Sequence, residues 1–176
     1  MNVLKRIKTA LHAATGKGAR KLIAAQADIY ENVTLAHEYF SDECLDFIIH
    51  LLSAQDLFNK PGMHIFIVKI HTDMDIISDT QKTALLHTIS TNYHQYTETD
   101  LCWHLGDLIA RCYNPFLAIN FFQNQFASAT LQGKEGIALG LDIIARHSKR
   151  DPGIMKSIDR IMCQSDLRYS LPVHKT

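Results

Sequence analysis

At 176 residues with 47% hydrophobic content, the chain is sized for one domain with a real core, which excludes wholesale disorder. Basic and acidic side chains balance at 18 each, so the surface is not the uniformly cationic one that gripping nucleic-acid phosphate requires. No apolar run reaches the roughly 18 residues of a membrane span, and Met1 to Ala14 mixes cations among apolar residues, unlike a signal peptide. A cytoplasmic protein is therefore expected, a single domain over residues 1–176 with a loose tail after about residue 164. The four cysteines, Cys44, Cys102, Cys112 and Cys163, are widely separated and form no Cys-x-x-Cys pair, so they read as buried free thiols.

Apolar residues recurring three and four apart predict helices over 2–14, 18–39, 41–53, 62–72, 79–93, 99–112, 115–127, 134–147 and 152–163. Ser41, Ser78 or Asp79, and Thr99 are candidate caps. Asn114-Pro115 and Asp151-Pro152 are stronger ones: the cap side chain accepts an orphan N–H, and proline suits the first helical position. Lys60-Pro61 is a less clean start of the same kind. Buried stripes are expected at Leu45, Ile48, Ile49 and Leu52, at Leu101, Leu105, Leu108 and Cys112, and at Ile137, Leu141, Ile144 and Ala145. Ile65-Phe66-Ile67-Val68 alone resembles a strand but lacks a partner, so it reads as buried helix. Thr130 to Gly136 reads as loop.

Three features repeat at a common spacing. Asp107-Leu108-Ile109-Ala110-Arg111 returns as Asp142-Ile143-Ile144-Ala145-Arg146, an offset of 35. Leu105-Gly106 returns as Leu139-Gly140 at 34, and the cap-proline pair returns at 37. A period in the mid-thirties is the mark of stacked helical hairpins, each burying its apolar face on the next. The expected fold is all-α, an α-solenoid of stacked antiparallel helix hairpins.

No residue set announces chemistry. Asp46/His50 and Asp100/His104 have the i,i+4 spacing that places two side chains on one helix face, but no His-x-x-x-His occurs, so intrahelical Asp–His hydrogen bonds are expected and no metal. Gly133, Gly136 and Gly140 follow helical turns and precede no Lys-Ser motif, which excludes a phosphate loop. No catalytic residue, cofactor or small-molecule substrate is expected. Trp103, Asp107 and Arg111 lie one turn apart, the residue types of repeat-built DNA glycosylases. They sit at the end of an acidic block, however, which argues against direct nucleic-acid binding.

The stretch Leu105-Gly106-Asp107-Leu108-Ile109 through Ala118-Ile119 and Phe122 resembles a tetratricopeptide repeat, in which Gly106 and Ala118 would be the small residues at a close helix approach. Trp103 lies one residue too near Leu105-Gly106 for that pattern, and Pro152 stands where the second copy needs a small residue. The prolines opening second helices look equally like HEAT or armadillo units. Charge is segregated: residues 28–107 carry thirteen acidic against three basic side chains, whereas residues 1–27 carry six basic and no acidic ones. In size, architecture and acidic middle the chain resembles the helical immunity proteins of bacterial contact-dependent inhibition and other polymorphic toxin systems. That resemblance implies a cognate toxin domain, expected to be basic and often a nuclease, neutralised by occlusion of its active site. The alternative is an adaptor or regulatory repeat protein holding a peptide in its groove. Asp42, Glu43, Asp46, Asp100 and Asp107 are the expected acidic contacts. Trp103, about 200° around the helix from the Leu101 stripe, is either a buried seam residue or an exposed anchor ringed by acid.

Overall fold

Side-chain caps set most of the helix starts. The structure, a computed structural model, describes residues 2–35 and 39–164. Asn2 opens α1 (Val3–Ala13) by accepting the Leu4 N–H at 2.9 Å. A 3-10 turn leads into α2 (Ala19–Thr34). Ser41 caps α3 (Asp42–Ser53), which is followed by the single turn α4 (Gln55–Phe58) and by α5 (His64–Asp73). Ser78 and Gln81 form a reciprocal capping box at the head of α6 (Asp79–Asn92). Beyond it lie α7 (Thr99–Cys112), α8 (Pro115–Phe126), α9 (Leu131–His147) and α10 (Pro152–Gln164). Asn114 accepts the Phe116 N–H at 3.0 Å and Asp151 accepts the Gly153 N–H at 2.9 Å, each just ahead of its proline.

The described residues are all-helical apart from turns and loops, without a strand, and Ile65 to Val68 lie within α5. Six local expectations are corrected. Glu98, not Thr99, caps α7, because its longer side chain reaches the Leu101 N–H at 2.5 Å. Lys60 caps no helix start; its ammonium instead reaches the carbonyls of Leu11 and His12 at 2.7 and 3.0 Å, closing the C-terminus of α1. Thr130 to Gly136 is not loop: Thr130 accepts the Gly133 N–H, and α9 starts at Leu131. The buried stripe of α3 runs through Cys44, Phe47, Ile48, Leu51 and Leu52, leaving Leu45 and Ile49 half-buried. Of the thiols expected to be buried, Cys44 and Cys102 are, but Cys112 is half-buried and Cys163 is exposed. The helix expected to run to residue 39 ends at Thr34, with Leu35 in a turn and Tyr39 in a bend; residues 36–38 and the tail after residue 164 lie outside the described residues.

Helix α2 packs on α5, α5 on α7, and α7 on α9. On the other side α1 packs on α3 and α3 on α6, while α8 packs on α7, α9 and α10. Aromatic rings fill the space between. Tyr30, Phe47 and Phe66 form one cluster with centroids 5.2–5.7 Å apart. Phe58, Tyr96, Tyr93, Phe121 and Phe122 form a chain of edge-on contacts. Tyr96 and Tyr93 spend their hydroxyls on backbone carbonyls, those of Leu52 at 2.8 Å and Gly133 at 3.0 Å, so these large side chains bury no unmet donor. No helix among the described residues is long and apolar enough to cross a membrane.

The tightest packing is between α7 and α9. A Cβ added to Gly106 would sit 2.1 Å from the Gly136 carbonyl oxygen, and one added to Gly136 would sit 2.3 Å from that of Cys102. Gly140 is closed by the Phe122 ring at 2.3 Å. The small residue at position 106 therefore serves a close approach to Gly136 on α9. Gly106→Ala should cost roughly 1–3 kcal/mol, the range for overpacking a closed seam. Gly18→Ala meets nothing within 4 Å at an ordinary φ of −88° and should be neutral or slightly stabilising. Chemical denaturation of both variants checks this, and equal tolerance would refute the seam.

A second prediction comes from Asp73 at the end of α5, whose Oδ2 is buried without a hydrogen-bond partner. Burial raises its pKa, the Thr34 hydrogen bond opposes that rise, and Glu31 adds to it. The folded chain thus holds this proton more tightly than the unfolded chain. Its contribution to stability is present at low pH and is lost as pH rises through the raised pKa. Asp73→Asn carries no charge, so it should stabilise the protein at neutral pH. The gain should shrink toward about pH 4, near the unfolded carboxylate value. Denaturation midpoints of parent and variant across that range are the measurement; a gap independent of pH would contradict the assignment.

Candidate functional site

Helix α7 has two unlike faces. Leu101, Leu105 and Leu108 point into the core, and on the opposite side Trp103 is 46% exposed. The exposed alternative for this ring is the one the structure adopts. Asp100, His104 and Asp107 are half-buried on the same helix. Helix α5 lies alongside and contributes His64, Val68 and His71, spaced by one turn, with Val68 exposed.

Polar contacts bridge α5 and α7 along this face. The His64 and His104 rings stack with centroids 5.2 Å apart and planes within 9°. His71 Nδ1 lies 3.4 Å from Asp107 Oδ2, and Arg111 Nε donates to Asp107 Oδ1 at 2.6 Å. Asp100 Oδ2 lies 3.7 Å from His64 Nδ1 and 3.9 Å from Arg20 Nη2. Arg20 lies across the turn before α5, where Gly62 adopts φ +97° and an added Cβ would sit 3.2 Å from Arg20 Cγ. Burial pushes the His64 pKa down, and the attraction of Asp100 only partly restores it. One helix further along, Lys69 donates to Glu31 at 2.6 Å, with Asp28 at 3.7 Å; these acids raise the lysine's pKa.

The expected acidic contacts fall into two groups. Asp42, Glu43 and Asp46 are exposed on α3. Asp42 Oδ1 accepts from Gln81 on α6 at 2.9 Å, and Glu43 Oε2 accepts from Asn2 at 3.2 Å. Asp100 and Asp107 instead face α2 and α5. The α3 residues Ile48, Leu51 and Leu52 meet α5 and Leu101 in the core, around a void of only about 10 Å³. The two groups share no partner: Asp42 and Glu43 meet α6 and Asn2, whereas Asp100 and Asp107 meet α2, α5 and Arg111. Asp107 is also matched by Arg111 and His71, which reduces its reach as an attracting charge.

The intrahelical Asp–His hydrogen bonds expected at Asp46/His50 and Asp100/His104 do not form among the described residues. His50 instead meets His12, Nε2 to Nε2, at 3.3 Å, and His12 Nδ1 meets Asp56 Oδ2 at 2.6 Å. A carboxylate on Nδ1 fixes that proton, so in the neutral pair His50 donates and His12 accepts. This relay ties α1 to α3 and to the head of α4. Sequence spacing could not reveal it, because its members come from three separate helices. Neither could it reveal the meeting of His64 with Asp100. No protein-family model, curated protein or solved structure matches this chain.

Proposed function

We propose that this chain is an α-solenoid that binds another protein, with Trp103 at the centre of the contact. The packing sequence α2–α5–α7–α9, with α8 against α10, supports stacked hairpins. The sequence repeat that pairs Gly106 with Gly140 also supports it, since both glycines stand at the α7–α9 contact. The observation that carries the reading is the 46% exposure of Trp103 beside Asp100 and Asp107. An exposed indole on a firmly packed helix loses little conformational freedom on binding and buries a large apolar area, which is the composition of an interface hot spot.

The more specific form of the proposal is an immunity protein that covers the active site of a cognate basic toxin domain. The acidic character of residues 28–107 supports it, although on this face the acids are partly matched, so apolar burial and not long-range attraction is the main term. An adaptor function has one observation of its own. A cleft of about 680 Å³ opens between α1 and α2, lined by Val3, Ile7, Ala10 and Ile29 with Arg6 at its edge.

Capture from the native host, followed by titration calorimetry with the purified partner, tests both forms. Trp103→Ala should weaken binding by about 2 kcal/mol or more. Because Asp107 lies on the Trp103 helix and Asp46 on α3, Asp107→Lys should weaken binding, while Asp46→Lys should do little. Each variant must keep the parent's helical spectrum. Parent-like affinity of the Trp103 variant would refute this face, and a loss caused by Ile29→Asp alone would move the site to the α1–α2 cleft.

A further inference from the structure

We propose that His64, Glu98 and Asp100 form a binding site for a zinc-class divalent cation at the seam of α5 and α7. One donor atom from each residue lies within 4.8 Å of the other two. An imidazole nitrogen with two carboxylate oxygens is a donor set that zinc accepts, with a fourth position left for water.

The second observation is the state of His64. The residue is only 9% exposed, and its Nδ1 is buried with no hydrogen-bond partner. Asp100 Oδ2, at 3.7 Å, is too distant to satisfy it. A buried orphaned nitrogen facing two carboxylates is costly as it stands, and a cation between them would satisfy all three groups. Burial lowers the His64 pKa, the direction that favours the neutral imidazole metal ligation needs.

The surroundings prepare the donors. Glu98 Oε2 is held at 2.5 Å by the Leu101 N–H, which orients the carboxylate and leaves its second oxygen as a ligand. The His104 ring lies parallel to His64 and restricts its rotation. Metal–ligand bonds of about 2.0–2.2 Å require the three groups to close in by roughly 1 Å. The opposing charge is Arg20, at 3.9 Å from Asp100, but its side chain is largely exposed and can turn to solvent. The site shares Asp100 with the proposed contact face but asks nothing of Trp103, so the two readings are tested by different variants.

The experiment is titration of the tag-free, chelator-treated full chain with zinc chloride, followed by calorimetry and thermal melting. The expected result is one zinc per chain with a raised melting midpoint, and no comparable binding of magnesium, which avoids imidazole. Glu98→Gln keeps the helix-capping oxygen, and Asp100→Asn keeps the shape; each should weaken zinc binding at least tenfold. Arg20→Gln should tighten it. The paired change His12→Ala with His50→Ala removes the rival histidine pair and should leave the site intact. Absence of stoichiometric zinc, equal magnesium binding, unchanged affinity in the carboxylate variants, or loss in the His12/His50 variant would each overturn the proposal.

Discussion

The architecture depends on the backbone-to-backbone approach of α7 and α9. Three glycines make it possible, Gly106 on one helix and Gly136 and Gly140 on the other. Glycine within a helix costs up to about 1 kcal/mol relative to alanine, so their presence needs a compensating gain. The gain is contact: with no Cβ between them, the two helices bury Leu105, Leu108, Ile137 and Leu141 completely. Phe122 from α8 closes over Gly140, so the same seam also seats the second helix of the hairpin. Its depth fixes the rotation of α7, and that rotation turns Trp103 outward.

Much of this is legible in the sequence, and the reasons are local. Asn114, Asp151, Ser41 and Ser78 act within their own turns, so short-range capping rules identify them. The apolar period identifies α7 and α9 because each buries one stripe. The head of α9 is not legible, because a run with two glycines, a threonine and a glutamine reads as loop by propensity. Its glycines are there for the neighbouring helix, and the compensation is tertiary. The cap of α7 was displaced by one residue because Thr99 and Glu98 both carry an acceptor, and only geometry decides which reaches Leu101.

The polar groups were far less legible. Asp100 and His104 share a helix face, but each finds a partner on α5, His64, which is 36 and 40 positions away in sequence. The same holds for Asp107 with His71 and for His12 with His50 and Asp56. Spacing within one helix says which side chains share a face. It does not say which helix that face will meet. Five histidines therefore become cross-helix connections, and the expected acidic contacts divide between different partner helices.

That division bears directly on how the α5–α7 face can work. Charges already matched at short range contribute little to attraction at a distance, since an ion pair presents a weak field beyond its own length and salt screens what remains. Asp107, held by Arg111 and His71, is such a group. What the face retains is a rigid aromatic ring, a neighbouring exposed Val68, and polar groups whose positions are set by contacts between helices. Such a surface discriminates by shape and by burial of the indole more than by field. Its precision derives from the glycine seam that flanks it on α7: a bulkier residue at Gly106 would displace the helix and carry Trp103 with it, without changing any residue a partner touches.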